Sequence, residues 1–372
     1  MLMRVIVFGS YAKSLLNFRG PLIRDLVNRG HEVTAFAAEE DDKVKSALAE
    51  WGVSYFPVPI DRRGINPVRD LGSLQAIYRL FLQMKPDLVL SYTMKPVIYG
   101  SLVAGHLGVA SASMITGLGQ LFVDAASVPR RFLRFALEAM LRRSLRRNKV
   151  VFFQNRDDLT LFVDRGLVRD DQAVLVDGSG VDVDHFSFSE PKLDPPTFVM
   201  LARLIREKGV LEYIEAARKL KKIYPRAVFR LLGGFEQGSS AIPPHEIFRW
   251  ANEGVIDYAG EVEDVRPLLR GATVVVLPSY YREGIPRSLL EALAVGRPII
   301  TTDMPGCRET VVNGINGYLV KPKDVDSLAQ AMEKFITNPS LALLFGRKSR
   351  EIAESRFDVR KVNARITEAL EL

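Results

Sequence analysis

Two carboxylates, two cations and a glycine turn carry the chemistry this chain can perform. Glu283 and Glu291 stand eight residues apart in EGIPRSLLEALAVGRPII, directly after the apolar run ATVVVLPS. That order predicts a buried strand, a short loop and a helix starting at Pro286, because a first helical position has no use for the N–H that proline lacks. Gly284 carries no side chain, so a ligand can approach the backbone there. The free amides at the helix start, with those of Gly284 and Ile285 beside them, favour a phosphate or the oxygens of a sugar. One glutamate is then expected before the helix and the other about two turns into it. Such a site can hold sugar hydroxyls at one end and a ribose at the other. The bland alternative is an acidic helix start followed by a solvated glutamate.

Arg203 and Lys208 lie in ARLIREKGV, just past another predicted strand, with a helix expected from Lys208-Gly209 to about Lys221. A planar guanidinium and a point-charge ammonium beside a strand end can neutralise a diphosphate. With Arg206 between them, they also read as a solvated basic loop. Gly233 and Gly234 follow AVFRLL and either admit a ligand to the backbone or make a turn. In the first half, the strand ending at Gly9 runs into SYAKSLLNFRG, where Phe18, Arg19 and Gly20 offer a close approach to substrate. This is not G-x-G-x-x-G, so a dinucleotide site is not indicated. Lys95, in LSYTMKP, either meets an acceptor diphosphate or is an ordinary cation at a helix start. Thr116, Gly117 and Gly119 end a further strand and either line a cleft or form a tight turn. No metal site is expected. The four histidines lack ligand spacing, and the DVD triplets at Asp182/Asp184 and Asp324/Asp326 read as a loop and a helix cap. No cofactor is indicated.

These residues need elements to hold them. The runs RVIVFG, EVTAFA, VSYFPV, DLVLSY, SASMIT and KVVFFQN alternate with helical patterns at 20–29, 68–84 and 129–147. The second half repeats the alternation with TFVMLAR, AVFRLLGG, VIDYAG, ATVVVLPS, RPIITTD and GYLV. Alternation of this kind predicts α/β architecture, with two doubly wound, Rossmann-like parallel sheets. Ligands are expected at the carboxyl ends of the strands, in a central cleft that both domains face. We expect a first domain over 1–188, a second over 189–356 and a last helix over 357–372. The proline- and charge-rich SFSEPKLDPP (187–196) is expected to be the linker.

Bulk composition sets bounds. A length of 372 residues fits two domains, and the single cysteine, Cys307, excludes an intrachain disulfide. No secretory signal or run near the ~20 apolar residues of a membrane span is visible. The net charge of +7 divides almost evenly, with 24 basic and 21 acidic residues in 1–190 and 27 and 23 in the rest. Nucleic-acid motifs are absent, so no nucleic-acid partner is expected. One local exception is 129–149, with eight basic residues and one acidic. Phe132, Leu133, Ala136, Leu137 and Met140 would share one face of that helix, and Arg131, Arg134, Glu138 and Arg142 the other. Such a helix either lies on an anionic membrane, through Arg130, Arg131, Arg134, Arg142 and Arg143, or packs as a core helix with a solvated basic face.

EGIPRSLLEA with its two glutamates resembles the E-x7-E motif of family 4 retaining glycosyltransferases of the GT-B fold, and ARLIREKGV resembles their diphosphate-binding segment. The resemblance covers nearly the whole chain. It implies donor contacts from Glu283, Gly284, Ile285 and Pro286, ribose binding by Glu291, and diphosphate binding by Arg203 and Lys208. AGEVEDVRPLL resembles the family's base-binding loop, which implies nucleobase contacts near Val262 and Glu263, with Gly234 close by. Phe18, Arg19, Gly20, Lys95, Thr116 and Gly117 would face the acceptor. YTMKPVIYGS and ITGLG are similar to a subgroup, the PglA-type N-acetylgalactosaminyltransferases, that extends sugars carried on polyprenyl diphosphate. The implied donor is a UDP-sugar, the implied acceptor a polyprenyl-diphosphate-linked sugar, and the implied location the inner face of the plasma membrane. The chain departs from the pattern where many relatives carry a histidine, since Met94 stands there. Two rival activities remain at this level: a GT-B-like nucleotide-sugar epimerase or hydrolase, and a non-catalytic lipid-glycan binding subunit.

Overall fold

The computed structural model describes residues 2–61, 66–118 and 128–372, with the backbone alone at 67 and 128–133. It forms two compact units, one of Met1–Ser179 with Val362–Leu372 and one of Gly180–Lys361.

In the first unit the apolar runs become β1 (Arg4–Phe8), β2 (Glu32–Ala37), β3 (Ser54–Pro57), β4 (Leu88–Tyr92), β5 (Ala110–Ile115) and β6 (Val150–Phe153), with a short β7 (Ala173–Leu175) that no run announces. All pair in parallel in the order β3-β2-β1-β4-β5-β6-β7. A parallel sheet is covered on both faces, so its strands are apolar throughout rather than alternating. In β1, Val5 and Val7 enter one core while Ile6 and Phe8 enter the other. The first core takes Leu22, Ile23 and Leu26 from the helix Gly20–Asn28, and Val362, Ile366 and Leu370 from the helix Val359–Leu370. The second takes Ile77 and Phe81 from Pro67–Met84, and Leu141 and Leu145 from Val128–Leu145. Strand order reverses between β1 and β4, which opens a crevice at their carboxyl ends.

The second unit contains β8 (Thr197–Leu201), β9 (Val228–Leu232), β10 (Asp257–Gly260), β11 (Val274–Leu277), β12 (Ile299–Thr302) and β13 (Gly317–Val320). These also pair in parallel, in the order β10-β9-β8-β11-β12-β13, and reverse between β8 and β11.

Residues 180–188, assigned to the first domain on sequence, lie in the second unit, and so does the expected linker 187–196. Arg297 explains why. Its guanidinium is fully buried and donates to the Ser189 carbonyl at 2.7 Å, and burial pushes its pKa down to about 10. The Ser189 amide in turn donates to the Val295 carbonyl at 3.2 Å. A stretch rich in proline and charge can therefore still be held against a core when its backbone groups find partners.

Candidate active site

In the second unit Arg203 and Lys208 follow β8, and Glu283, Gly284, Ile285 and Pro286 follow β11, on both sides of the strand-order reversal, while Gly234 follows β9 and Val262 and Glu263 follow β10. After β8 the chain makes a 3₁₀ turn, Arg206–Lys208, and then Gly209 at φ +79 before the helix Val210–Ile223. The helix therefore starts two residues later than Lys208. A Cβ on Gly209 would stand 2.2 Å from the Pro278 carbonyl oxygen, so only glycine lets the two loops touch. They are also bonded: the Tyr280 amide donates to the Glu207 carbonyl at 2.9 Å.

This contact brings Lys208 to Glu283. The ammonium donates to Oε2 of the carboxylate, and the two side chains are only 10% and 12% exposed. Ser279 donates to the other carboxylate oxygen at 2.8 Å. Ser279 is itself buried, and Thr302 at the end of β12 donates to its carbonyl. Sequence reading missed Ser279, although a serine directly after a buried strand and four residues before a site glutamate was a visible signal.

The loop after Glu283 sits under a second close contact. Gly306, at φ +85, places its α-carbon so near the Gly284 carbonyl that a Cβ would stand 1.5 Å from that oxygen. Gly284, Ile285 and Pro286 are all buried. Pro286 is the N-cap, with extended backbone, and the helix runs Arg287–Val295. Glu291 is thus the fifth helical residue, little more than one turn in rather than two. Arg287 donates to it at 2.7 Å. Burial pushes the Glu291 carboxyl above the usual range, and the Arg287 charge and hydrogen bond oppose this only in part. A solvated surface glutamate does not fit that environment. Arg287 also went unread in the sequence, although the four-residue spacing from Glu291 is a helical neighbour pair.

Arg203 is not drawn into the Lys208–Glu283 pair. It is 53% exposed and stands 3.7 Å from Glu236. Gly234 leaves room for Glu261, whose carboxylate would lie 2.7 Å from an added Cβ. Val262 packs partly against the core, while Glu263 is exposed. The Cys307 thiol is buried and inert, pushed up to about 12 by burial and the Glu283 charge. Among the described residues, no group of three His, Cys, Asp or Glu converges as a metal site.

In the first unit, the loops after β1 and β4 flank that sheet's reversal. Thr93 sits at φ 66 and donates to the Ser10 hydroxyl at 2.9 Å, which ties the two loops together. Gly9 lies so close to the Tyr92 ring that a Cβ would meet it at 2.3 Å. Arg19 is buried, with its guanidinium 5.1 Å from the centre of the Tyr92 ring. Gly20 packs on Trp51, and Phe18 is exposed. Lys95 donates to Asp70 at 2.7 Å. Burial raises the Asp70 carboxyl, but the bonds from Lys95 and Tyr99 outweigh it and hold it below the usual range. Thr116 and Gly117 are half-buried after β5, and Gly119 lies outside the described residues.

The basic helix spans Val128–Leu145. Its buried stripe is Leu141 and Leu145 with Leu137 partly buried, whereas Met140, expected on the apolar face, is 44% exposed. Arg134 stands 3.7 Å from Glu138, which also accepts from Arg165. Arg142 donates to the carbonyls of Gly166 at 3.0 Å and Arg165 at 2.9 Å. Arg143 is exposed, and the side chains of Arg130 and Arg131 lie outside the described residues. No described helix is long and apolar enough to cross a membrane.

Comparison with known proteins agrees with this layout. A model of glycosyl transferases group 1 matches residues 182–352, and one of the glycosyl transferase 4-like domain matches 20–178. The chain is 26% identical over 365 residues to the N,N'-diacetylbacillosaminyl-diphospho-undecaprenol alpha-1,3-N-acetylgalactosaminyltransferase of Campylobacter jejuni, covering 94% of each. It is 25% identical to the UDP-Gal:alpha-D-GlcNAc-diphosphoundecaprenol alpha-1,3-galactosyltransferase of Escherichia coli, over 83% of this chain and 81% of that one. Among solved structures, Anabaena HepE in complex with UDP superposes with a TM-score of 0.77 at 18% identity, covering 99% of this chain and 100% of that one. The two models match consecutive stretches, the first unit from the helix Gly20–Asn28 onward and most of the second with its paired Lys208 and Glu283, and the chain belongs to the group 1, family 4-like glycosyltransferases of the GT-B fold.

Proposed function

We propose that this enzyme moves a sugar, an N-acetylhexosamine such as GalNAc, from a UDP-sugar to a polyprenyl-diphosphate-linked saccharide, with retention of configuration, in bacterial glycan assembly. The observation that carries this reading is the buried Lys208–Glu283 pair at the reversal between β8 and β11, beside the helix start. The donor and acceptor classes are supported by the Campylobacter and Escherichia relatives, whose names specify diphospho-undecaprenol acceptors.

The residues divide the work as follows. The donor diphosphate lies against Lys208, with exposed Arg203 closing on it from the neighbouring loop. Lys208 exchanges part of its bond to Glu283 for the phosphate, which frees that carboxylate to accept from sugar hydroxyls. Ser279 keeps Glu283 in place during the exchange. Gly284, Ile285 and Pro286 form the wall beside the sugar. Glu291, released from Arg287, accepts from the ribose hydroxyls, while Gly234, Val262 and Glu263 border the base. In transfer, the bond from the anomeric carbon to the diphosphate breaks and the bond to the acceptor oxygen forms on the same face. The departing phosphate oxygen takes the acceptor proton. Charge grows on that phosphate, where Lys208 and the closing Arg203 stabilise it. Phe18, Arg19, Gly20, Lys95, Thr116 and Gly117 serve the acceptor, with Asp70 orienting Lys95. The acceptor's lipid places the enzyme at the cytoplasmic face of the membrane, with the basic helix 128–145 toward the anionic surface.

The test is transfer from a panel of UDP-sugars to a synthetic polyprenyl-diphosphate saccharide, with no metal added. One donor should support transfer, and Glu283→Ala should reduce kcat/KM by about 10³-fold, the scale of a lost transition-state contact. Donor breakdown without acceptor would show a hydrolase or epimerase instead. Lipid-glycan binding without turnover of any donor would leave only a binding protein.

A further inference from the structure

Arg287 opens the helix Arg287–Val295, one turn before Glu291. Its Nε donates to Oε1 of that carboxylate at 2.7 Å, and the two side chains are 27% and 10% exposed. Ion pairs at this spacing usually lie in water and contribute little. This one is out of water, and among the described residues Arg287 is the hydrogen-bond donor to Glu291. Helix stability does not account for the arrangement. A cation in the first turn opposes the helix dipole, and a pair with the cation N-terminal to the carboxylate is the weaker of the two orders. The helix has no acidic residue in its first turn to offset this.

The neighbouring charges leave the work to Arg287. Burial opposes ionisation of Glu291, and the Arg287 charge and hydrogen bond are the main effects pulling the other way. His185, on the segment after Gly180, acts in the same direction and less strongly. Cations on the elements packed against this helix are engaged elsewhere. Arg266, on Arg266–Arg270, donates to Asp264 at 2.8 Å, and Arg308, on Arg308–Thr310, to Asp303 at 2.7 Å. Arg350, on Ser340–Ile352, donates to Glu354 at 2.6 Å and to the Ala294 carbonyl at 2.7 Å. Arg356, on Ala353–Phe357, donates to the Glu309 carbonyl at 3.0 Å.

We propose that Arg287 is a positioning residue for donor binding: it keeps Glu291 charged and aimed before the donor binds, then gives the carboxylate up to the ribose hydroxyls. This rests on the reading of Glu291 as the ribose acceptor. A charged acceptor holds a hydroxyl roughly twice as strongly as a neutral one, so a donor that meets an ionised Glu291 binds tighter. The exchange is also selective. Two ribose hydroxyls replace the guanidinium bond, whereas a sugar lacking them would separate the pair and leave a buried carboxylate without a donor. Removing Arg287 lets burial act on Glu291 unopposed, so its carboxyl stays protonated to higher pH. Donor affinity is then full only at high pH and is lost sooner as pH falls.

The experiment is calorimetric titration of the full chain with UDP-GalNAc across pH, with no acceptor present. Arg287→Gln should bind as tightly as the parent at high pH and fall behind it by about tenfold at lower pH, the scale of a hydroxyl that loses a charged acceptor. Arg287→Lys restores a cation and should return the curve toward that of the parent, and His185→Gln should move the curve less than Arg287→Gln does. The parent alone gives a second check: the 2′,3′-dideoxy analogue should bind more weakly and without the pH dependence. A loss of equal size at every pH in Arg287→Gln would make Arg287 a direct contact or a structural support and overturn the proposal, as would a pH dependence that persists with the analogue. UDP-GalNAc binding indifferent to Glu291→Gln would instead overturn the ribose reading on which the proposal rests.

Discussion

Glu291 is the residue whose environment opposes its ordinary state. It is held in a helix interior with one guanidinium for company, and burial raises its carboxyl pKa. The folded chain therefore keeps that proton to higher pH than the unfolded chain does. Across the window from the unfolded carboxylate range up through the raised value, the native state binds more protons, so stability falls as pH rises. Glu291→Gln removes the titration but keeps an acceptor for Arg287. We expect it to raise Tm by about 2 °C at neutral pH, as engineered relief of a strained site often does. The gain should fade below about pH 4, where the parent carboxyl is protonated in both states. Donor affinity should drop at least tenfold, because a ribose hydroxyl would lose a charged acceptor. Thermal melts of both proteins across pH, with donor titrations, check this, and a Tm gain independent of pH would contradict it.

At the scale of elements, the site depends on loops that approach more closely than any side chain allows. Gly306 against Gly284 sets where the Glu283 loop lies relative to the helix Arg287–Val295. Gly306→Ala must displace that loop and also puts alanine at φ +85. The overpacking alone should cost about 1–3 kcal/mol, and kcat/KM should fall more than tenfold as Glu283 moves. Gly314 provides the control. It has a similar φ of +79 but nothing within 4 Å of an added Cβ. Gly314→Ala should show only the left-handed penalty of about 1–2 kcal/mol, with kcat/KM unchanged. Comparable activity losses in both variants would mean that backbone strain, not the Gly306–Gly284 contact, governs the site.

At the scale of the molecule, the chain leaves the first unit after Ser179 and returns to it at Val362. Val362, Ile366 and Leu370 are buried in the first unit's core, and Lys149 donates to the Leu370 carbonyl at 3.2 Å. Three such side chains stabilise by roughly 5–9 kcal/mol on an area basis, which is comparable to the whole stability of a domain. Ending the chain after Lys361 should therefore unfold the first unit selectively. Calorimetry should show one transition lost and that of the second unit kept, with proteolysis confined to residues before Gly180. Retention of both transitions would show that the last helix is dispensable.

Every strand run but that of β7, the βα alternation and the spacing of the glutamate, arginine and lysine motifs were legible in the sequence, because each depends on neighbours within a few residues. Periodic apolar residues decide secondary structure locally, and a proline or glycine marks a helix end locally. Even there, the helix after Glu283 starts at Arg287 rather than Pro286, since the cap backbone is extended. The rest required the third dimension. That Lys208 pairs with Glu283 while Arg203 does not follows from Gly209 and Pro278 touching across the strand-order reversal. The linker that is not a linker depends on Arg297, more than a hundred residues away, bonding Ser189. Local pattern specifies which residues can do chemistry. Which of them meet is decided by packing between segments distant in the chain, where charge and burial depend on neighbours that no short window contains.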